Sequence, residues 1–278
     1  MQPSARRPAD LNDKLKSELP AFSSLSVDIA GNLCYNVKNA DNTGALSLFT
    51  EKGSLKMGHR PELIVMLTYN DLTVENALEV FEQCRDSKAL YRGFKENPLS
   101  LDKMKKLSSA IKASGKTACL EVVEYTEQEC LAGAETAVKC GIDILMGSLY
   151  FDSVNEYCKA YGLKYMPFVG DVKERPSILE GSVDKMIEQA RELIKRGVYG
   201  IDLLGYRYTG DASELNRRLV RELDAPVCIA GSVNSFDRLD EIARISTWSF
   251  TIVSAFFDGA FGSDITAQID AVYDYINK

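Results

Sequence analysis

Histidine is almost missing from this chain: its 278 residues include one, His59, which lies outside every strand-like run. That scarcity argues against a histidine-rich metal centre and against a Ser/His/Asp triad, both of which need imidazole. No metal and no cofactor is expected. The seven cysteines, Cys34, Cys84, Cys119, Cys130, Cys140, Cys158 and Cys228, form neither a CxxC pair nor a metal-ligand spacing, and an odd number does not suit a disulfide framework. They read as reduced, mostly buried thiols. No apolar run approaches the roughly 20 residues that cross a bilayer, and the opening MQPSARRPADLNDKLKSEL has no apolar signal-peptide core. A cytoplasmic protein without a membrane partner is expected. A basic patch is missing too: 33 Lys plus Arg face 40 Asp plus Glu, for a net charge of -7, with no cluster suited to nucleic acid. Small molecules remain as partners, and the chemistry falls to Lys, carboxylates, Tyr or Cys.

What is present is a regular alternation. From Pro61 onward, short β-branched runs alternate with amphipathic stretches, the pattern of repeated βα units. Eight runs occur: Leu63 to Thr68, Ala89 to Lys95, Thr117 to Glu124, Ile142 to Ser148, Lys164 to Val169, Gly200 to Leu204, Val227 to Ala230 and Ser249 to Ser254. Successive runs start about 22 to 35 residues apart, the length that a strand, loop, helix and return require. Thr126 with Glu129, and Asp211 with Glu214, are spaced as reciprocal helix caps. Met186, Ile187, Ala190, Leu193 and Ile194 share one helical face, with Glu188, Arg191 and Lys195 opposite. Eight units predict a (β/α)8 TIM barrel over residues 61–278. A doubly wound open sheet is the competitor, and the lack of a GxGxxG loop argues against it.

Residues 1–60 have another texture. Leu33 to Val37 and Ala45 to Thr50 are strand-like and flank the turn-rich KNADNTG, so this N-terminal extension is expected to hold a small β-hairpin. Closing the barrel bottom, covering its mouth and making homo-oligomer contacts are all open to it.

In such a barrel the loops after the strands form the active face. Strand seven ends in Ala230-Gly231-Ser232 and strand eight in Val253-Ser254-Ala255, at the usual phosphate position, where glycine lets backbone N–H groups approach an oxyanion. These two turns resemble the ribulose-phosphate-binding barrel superfamily, whose members commonly end strand seven in a glycine pair or Gly-Ser and strand eight in Gly-Ser-Ala. The likeness covers the second half of the barrel best and departs at Val253, where that superfamily usually has glycine. It implies a phosphate grip at Gly231, Ser232, Ser254 and Ala255, with a structural Gly-Ser turn as the alternative.

Strand parity supplies the other candidates. Ile64, Met66 and Thr68 form one inward set, and Tyr91, Gly93 and Lys95 another. An inward Lys95 in a low-dielectric barrel is expected to have a depressed pKa and to serve as proton carrier or Schiff-base nucleophile; otherwise it is a snorkelling surface lysine. Glu121 and Glu124 fall on opposite faces of strand three. An inward Glu121 needs a cationic partner, for which Lys95 is the neighbour, giving either an acid/base unit or a structural ion pair. Asp202 on strand six is a buried carboxylate. Arg207 beyond it can clamp a phosphate in bidentate fashion or pair with Asp211 at the surface. Gly170 to Ser182 has the composition of a lid, and Asn70 and Asp71 either add a polar contact or begin a helix beside Thr73.

Together these residues predict an enzyme acting on a small phosphorylated sugar or acid by proton transfer next to a carbonyl, of the isomerase or epimerase type. A Schiff-base aldolase using Lys95 and a barrel that binds a phosphorylated ligand without turnover are the alternatives.

Overall fold

Each of the eight apolar runs becomes a strand of one parallel sheet. The computed structural model describes residues 60–278 and two short strands of the extension, and the chain divides into two compact units, Met1–Glu51 and Lys52–Lys278. In the first unit, β1 (Leu25–Val27) and β2 (Leu33–Tyr35) pair antiparallel, Ser26 opposite Cys34. The strand expected at Leu33 thus takes an upstream partner. Ala45 to Thr50, its expected mate, lies outside the described residues.

The second unit opens with β3 (Glu62–Met66), followed by a tight hairpin of β4 (Thr68–Tyr69) and β5 (Leu72–Thr73). Then come α1 (Ala77–Gln83), β6 (Tyr91–Lys95), α2 (Leu101–Ala113), β7 (Thr117–Val122), α3 (Glu127–Lys139), β8 (Ile144–Gly147), α4 (Asp152–Ala160) and β9 (Lys164–Met166). A second hairpin, β10 (Asp171–Lys173) and β11 (Ile178–Glu180), precedes α5 (Val183–Lys195). The rest is β12 (Ile201–Leu203), α6 (Ala212–Glu222), β13 (Val227–Ile229), α7 (Phe236–Ile245), β14 (Ser249–Ile252) and α8 (Ile265–Ile276). The parallel sheet runs β12-β13-β14-β3-β6-β7-β8-β9. Two backbone bonds join its edges: Tyr199 N–H donates to the Tyr165 carbonyl at 2.9 Å, and Asp202 N–H to that of Pro167 at 3.1 Å. The chain is a (β/α)8 barrel.

Alternation decides what each strand faces. Ile64, Met66, Cys119, Ile144, Met146, Met166 and Cys228 fill the interior, while Leu63, Val65, Leu120, Leu145, Ile201 and Leu203 turn outward into the layer shared with the helices. Helix residues such as Phe81, Leu107, Leu219 and Ile269 are fully buried against that layer, each worth roughly 1.5–3 kcal/mol of transfer free energy. Met66 packs across Gly93, where a Cβ would stand 2.2 Å from Met66 Sδ and would have to displace the end of that side chain.

The caps read from the sequence form. Thr126 accepts from Glu129 N–H at 3.3 Å and Asp211 from Glu214 N–H at 3.0 Å. The return half differs at the first, where the Thr126 hydroxyl donates to the Glu129 carboxylate at 2.5 Å. The six cysteines of residues 60–278 are free and buried. Among the described residues, no helix is long and apolar enough to cross a membrane.

Candidate active site

The first strand end shapes the site through its hairpin. Asn70 and Asp71 form the two-residue loop between β4 and β5 with positive φ at both, 47° and 68°, a turn that Asn and Asp tolerate best among side-chain-bearing residues. No helix begins there, and α1 starts at Ala77. Thr73 fastens the hairpin to β6: its hydroxyl donates to the Lys95 carbonyl at 2.8 Å and accepts from Lys95 N–H at 2.7 Å. Asp71 Oδ1 is thereby placed 2.5 Å from Lys95 Nζ.

Lys95 points into the barrel mouth, 8% exposed, and Glu121 on the adjacent strand is buried to the same degree. The two are paired in register, with Lys95 Nζ 3.7 Å from Glu121 Oε2. The expected depression of the Lys95 pKa is corrected here. Burial does oppose the charge, but attraction from Glu121 and the hydrogen bond that Lys95 donates to Asp71 outweigh it, and the pKa stands above its ordinary value. Lys95 is a fixed cation held by two carboxylates.

Asp202 lies deeper. It is fully buried, and among the described residues neither carboxyl oxygen meets a partner at full hydrogen-bond geometry. Burial, reinforced by Glu121 and only partly offset by Lys95 and the backbone N–H of Gly147, pushes its pKa well above the carboxylate range, which favours the protonated acid beneath the site. The interior thiols Cys119 and Cys228 are pushed up by burial as well. Neither is an activated nucleophile.

The ends of β12, β13 and β14 supply a different surface. After β13, Gly231 and Ser232 both have positive φ, 87° and 36°. Among the described residues, the N–H groups of Gly231, Ser232, Val233 and Asn234 donate to no acceptor. After β14, Ser254–Phe256 winds into a 3-10 turn whose leading N–H groups, from Ser254 and Ala255, have no partner within it. Arg207 ends another 3-10 turn, Gly205–Arg207, and makes no ion pair among the described residues. The alternative pairing with Asp211 is not formed, because Asp211 caps α6. Asn70 N–H donates to Ser254 Oγ at 3.3 Å, tying the first strand end to the last.

Arg207 lies across Gly231, and a Cβ on that glycine would meet Arg207 Cγ at 2.7 Å. Gly231→Ala is therefore expected to destabilise the fold by roughly 1–3 kcal/mol through its left-handed backbone and to displace Arg207. Urea unfolding checks the first effect; a change below about 0.5 kcal/mol would show that the turn relaxes freely.

One cavity of about 370 Å³ collects these groups. Lys95, Glu121, Arg207, Gly231, Ser232, Ser254 and Ala255 all line it, with Asp258 exposed at its rim. Asp202 and Glu124 do not. β7 stops at Val122, so Glu124 is carried onto a loop, where it pairs with Arg175 at 2.7 Å. Arg175 belongs to the segment with lid composition, which is the β10/β11 hairpin. Tyr125 holds that hairpin on one side, its hydroxyl donating to the Glu174 carbonyl at 2.7 Å and lying 2.9 Å from Ser177 Oγ. On the other, Tyr208 donates to the Gly181 carbonyl at 2.7 Å. Pro176 and Ser177 reach the cavity wall. Sequence reading missed Asp71 as the closest partner of Lys95, and missed Glu96. Among the described residues, no group of three or more His, Cys, Asp or Glu side chains is placed to hold a metal ion.

No protein-family model matches the chain, and none of the curated proteins does. Solved structures do match. Thiamine phosphate pyrophosphorylase from Pyrococcus furiosus aligns at 16% identity over 78% of this chain and 95% of that one, with a TM-score of 0.55. Orotidine 5'-phosphate decarboxylase from Pyrococcus horikoshii aligns at 12% over 78% and 99%, with a TM-score of 0.58. Tryptophan synthase from M. tuberculosis aligns at 13% over 79% and 94%, with a TM-score of 0.57. They share its fold. That agrees with the superfamily likeness of the turns after β13 and β14, and it is the fold that these alignments establish.

Proposed function

We propose that the protein is an enzyme that binds a small phosphorylated sugar or acid and moves a proton next to its carbonyl, as an isomerase or epimerase does. The observation that carries this reading is the meeting of two unlike surfaces in one cavity. One is a set of N–H groups at Gly231 to Asn234 and at Ser254 and Ala255, unpartnered among the described residues, beside Arg207, which makes no ion pair with any of them. Such donors suit a phosphoryl group, which accepts several hydrogen bonds at once and takes a bidentate contact from arginine. The other is the Lys95, Asp71 and Glu121 cluster. Proteins that share the fold include a thiamine phosphate pyrophosphorylase and an orotidine 5'-phosphate decarboxylase, which supports a phosphorylated substrate here.

The roles follow from charge. Glu121 takes the proton from the carbon beside the carbonyl, the C–H electron pair moves onto the carbonyl oxygen, and the ammonium of Lys95 faces the enediolate oxygen so formed. Returning the proton to the former carbonyl carbon, as the proton of the adjacent hydroxyl passes to the enediolate oxygen and that hydroxyl becomes the new carbonyl, isomerises the substrate; returning a proton to the opposite face of the original carbon, with the carbonyl re-formed, epimerises it. A Schiff base needs neutral lysine. Because Lys95 is held charged by two carboxylates, its role as an electrophile is favoured over that of nucleophile.

Thermal unfolding in the presence of sugar phosphates and inorganic phosphate tests the reading. At about one hundred times Kd a ligand adds roughly 2.7 kcal/mol, and Arg207→Ala is expected to remove most of that gain while leaving the unliganded transition within about 0.5 kcal/mol. A stabilising compound should then be converted by the parent protein. Stabilisation without conversion of any carbonyl-bearing phosphate would make the barrel a binder, and no stabilisation by any phosphate would return Gly231 to a structural turn.

A further inference from the structure

Arg207 owes its place to the residue before it. The 3-10 turn Gly205–Arg207 brings Arg207 to the wall of the phosphate cavity, whereas Tyr206 takes no part in that wall and is buried, 9% exposed. Tyr206 meets the turn after β13 at both of its ends. Ahead of Gly231, its N–H donates to the Ala230 carbonyl at 3.4 Å. Beyond Asn234, Ser235 caps α7, and Arg238 in the first turn of that helix lays its guanidinium over the Tyr206 ring, 4.0 Å from the centroid. Arg238 makes no ion pair among the described residues. The Tyr206 hydroxyl is buried and meets no partner at full hydrogen-bond geometry among them, so the ring face is what seats Arg238. Behind the 3-10 turn, Gly205 lies so close to α6 that an added Cβ would stand 1.8 Å from Asn216 Oδ1.

We infer that Tyr206 is a positioning residue of the phosphate grip: clasped to the β13 turn before Gly231 by its backbone and after Asn234 by Arg238, it holds Arg207 and the N–H groups of Gly231 to Asn234 in one frame, aimed at the same phosphoryl group. This rests on the phosphate reading above and adds to it the means by which loops from two strands act as one site. A bidentate arginine contact is directional, and misplacing a positioned group by about 1 Å is enough to lose most of its effect. The stem of Arg207 lies across Gly231, so a shift of the 3-10 turn against β13 carries the guanidinium off the N–H groups beneath it. Losing the clasp is expected to weaken phosphate binding about ten-fold, equivalent to about 1.4 kcal/mol, which is within the range of a partly buried cation–π contact.

Calorimetric titration of the full chain with inorganic phosphate tests this. Tyr206→Leu and Arg238→Met, which remove the two halves of the contact, should each bind about ten-fold more weakly than the parent, and Tyr206→Phe, which keeps the ring, should recover most of the affinity. Arg238→Met keeps the test open should Tyr206→Leu fail to fold. The deciding comparison is a cycle with Arg207→Ala. If Tyr206 acts through Arg207, then Tyr206→Leu weakens the Arg207→Ala protein by less than about three-fold, whereas a ring that only supports the fold costs the same ten-fold in either background. Unchanged affinity in Tyr206→Leu and Arg238→Met, a Tyr206→Phe as weak as Tyr206→Leu, or additive losses in the cycle would each overturn the positioning role while leaving the phosphate grip standing. Failure of inorganic phosphate to bind the parent would overturn the grip, and the clasp with it.

Discussion

Lys95→Met is expected to lower turnover by about a thousandfold and to destabilise the fold by roughly 3 kcal/mol at neutral pH. The first effect is the loss of the charge that faces the developing oxyanion, since removing one such donor commonly costs a factor of 10²–10³ and here the donor is also a cation. The second has a separate origin. Lys95 neutralises Glu121, a carboxylate 8% exposed, and Asp71, held at 2.5 Å on a hairpin turn. Methionine keeps the bulk of the side chain but strands both charges, and removing one partner of a buried pair typically costs 3–5 kcal/mol; Asp71 retains some solvent, so the lower end applies. Denaturant unfolding at pH 7 measures the loss of stability. Equal stability of parent and variant at pH 7 would mean that the ion pairs do not form in solution, and turnover within tenfold of the parent would remove Lys95 from contact with the reacting atoms.

The barrel was legible because two periods alternate along the chain. Residues such as Ile64 and Met66, or Cys119 and Glu121, repeat every second position on strands buried on both sides, and the parity of Lys95 followed from the same rule. Parity stops working where a strand stops. Glu96 is one residue beyond the end of β6, so alternation assigns it outward, yet with Asn97, Pro98 and Val123 it lines a hollow beside Lys95. Glu124 lies two residues past β7 for the same reason and serves the β10/β11 hairpin through Arg175 rather than the cavity. That hairpin was visible only as a segment of lid composition, because DVK and ILE are three-residue strands, too short for an alternation signal. The Asp71 contact did leave a mark. Asn-Asp between Thr68-Tyr69 and Leu72-Thr73 is two-residue hairpin chemistry, and reading it so would have returned the chain over the barrel mouth instead of into a helix. No one-dimensional pattern reports that the N–H groups after β13 and β14 lack partners; that depends on how two distant loops are set.

Asp202→Asn is expected to flatten the dependence of stability on pH more than any other single change. Asp202 is buried with no partner at full hydrogen-bond geometry among the described residues, and burial with repulsion from Glu121, against Lys95 and the Gly147 backbone N–H, holds its folded pKa well above the unfolded value of about 3.9. A carboxyl with a raised folded pKa binds its proton more tightly in the folded state than in the unfolded one. Its contribution is therefore most favourable below the unfolded pKa. As pH rises the unfolded state releases the proton while the folded state keeps it, and stability declines by up to about 1.4 kcal/mol per pH unit until the folded pKa is passed. Asparagine cannot ionise and has no such slope. Its amide introduces buried donors of its own, worth about 1–3 kcal/mol if unsatisfied, so the comparison that decides is the slope and not the offset at one pH. Urea midpoints from pH 4.5 to pH 8 should fall faster for the parent than for the variant, the two curves converging or crossing as pH rises. Parallel curves would mean that Asp202 is ionised in the folded protein and draws on Lys95 as Glu121 does. In that case the cation at the barrel mouth would serve three carboxylates, and the case for it as a free electrophile would weaken accordingly.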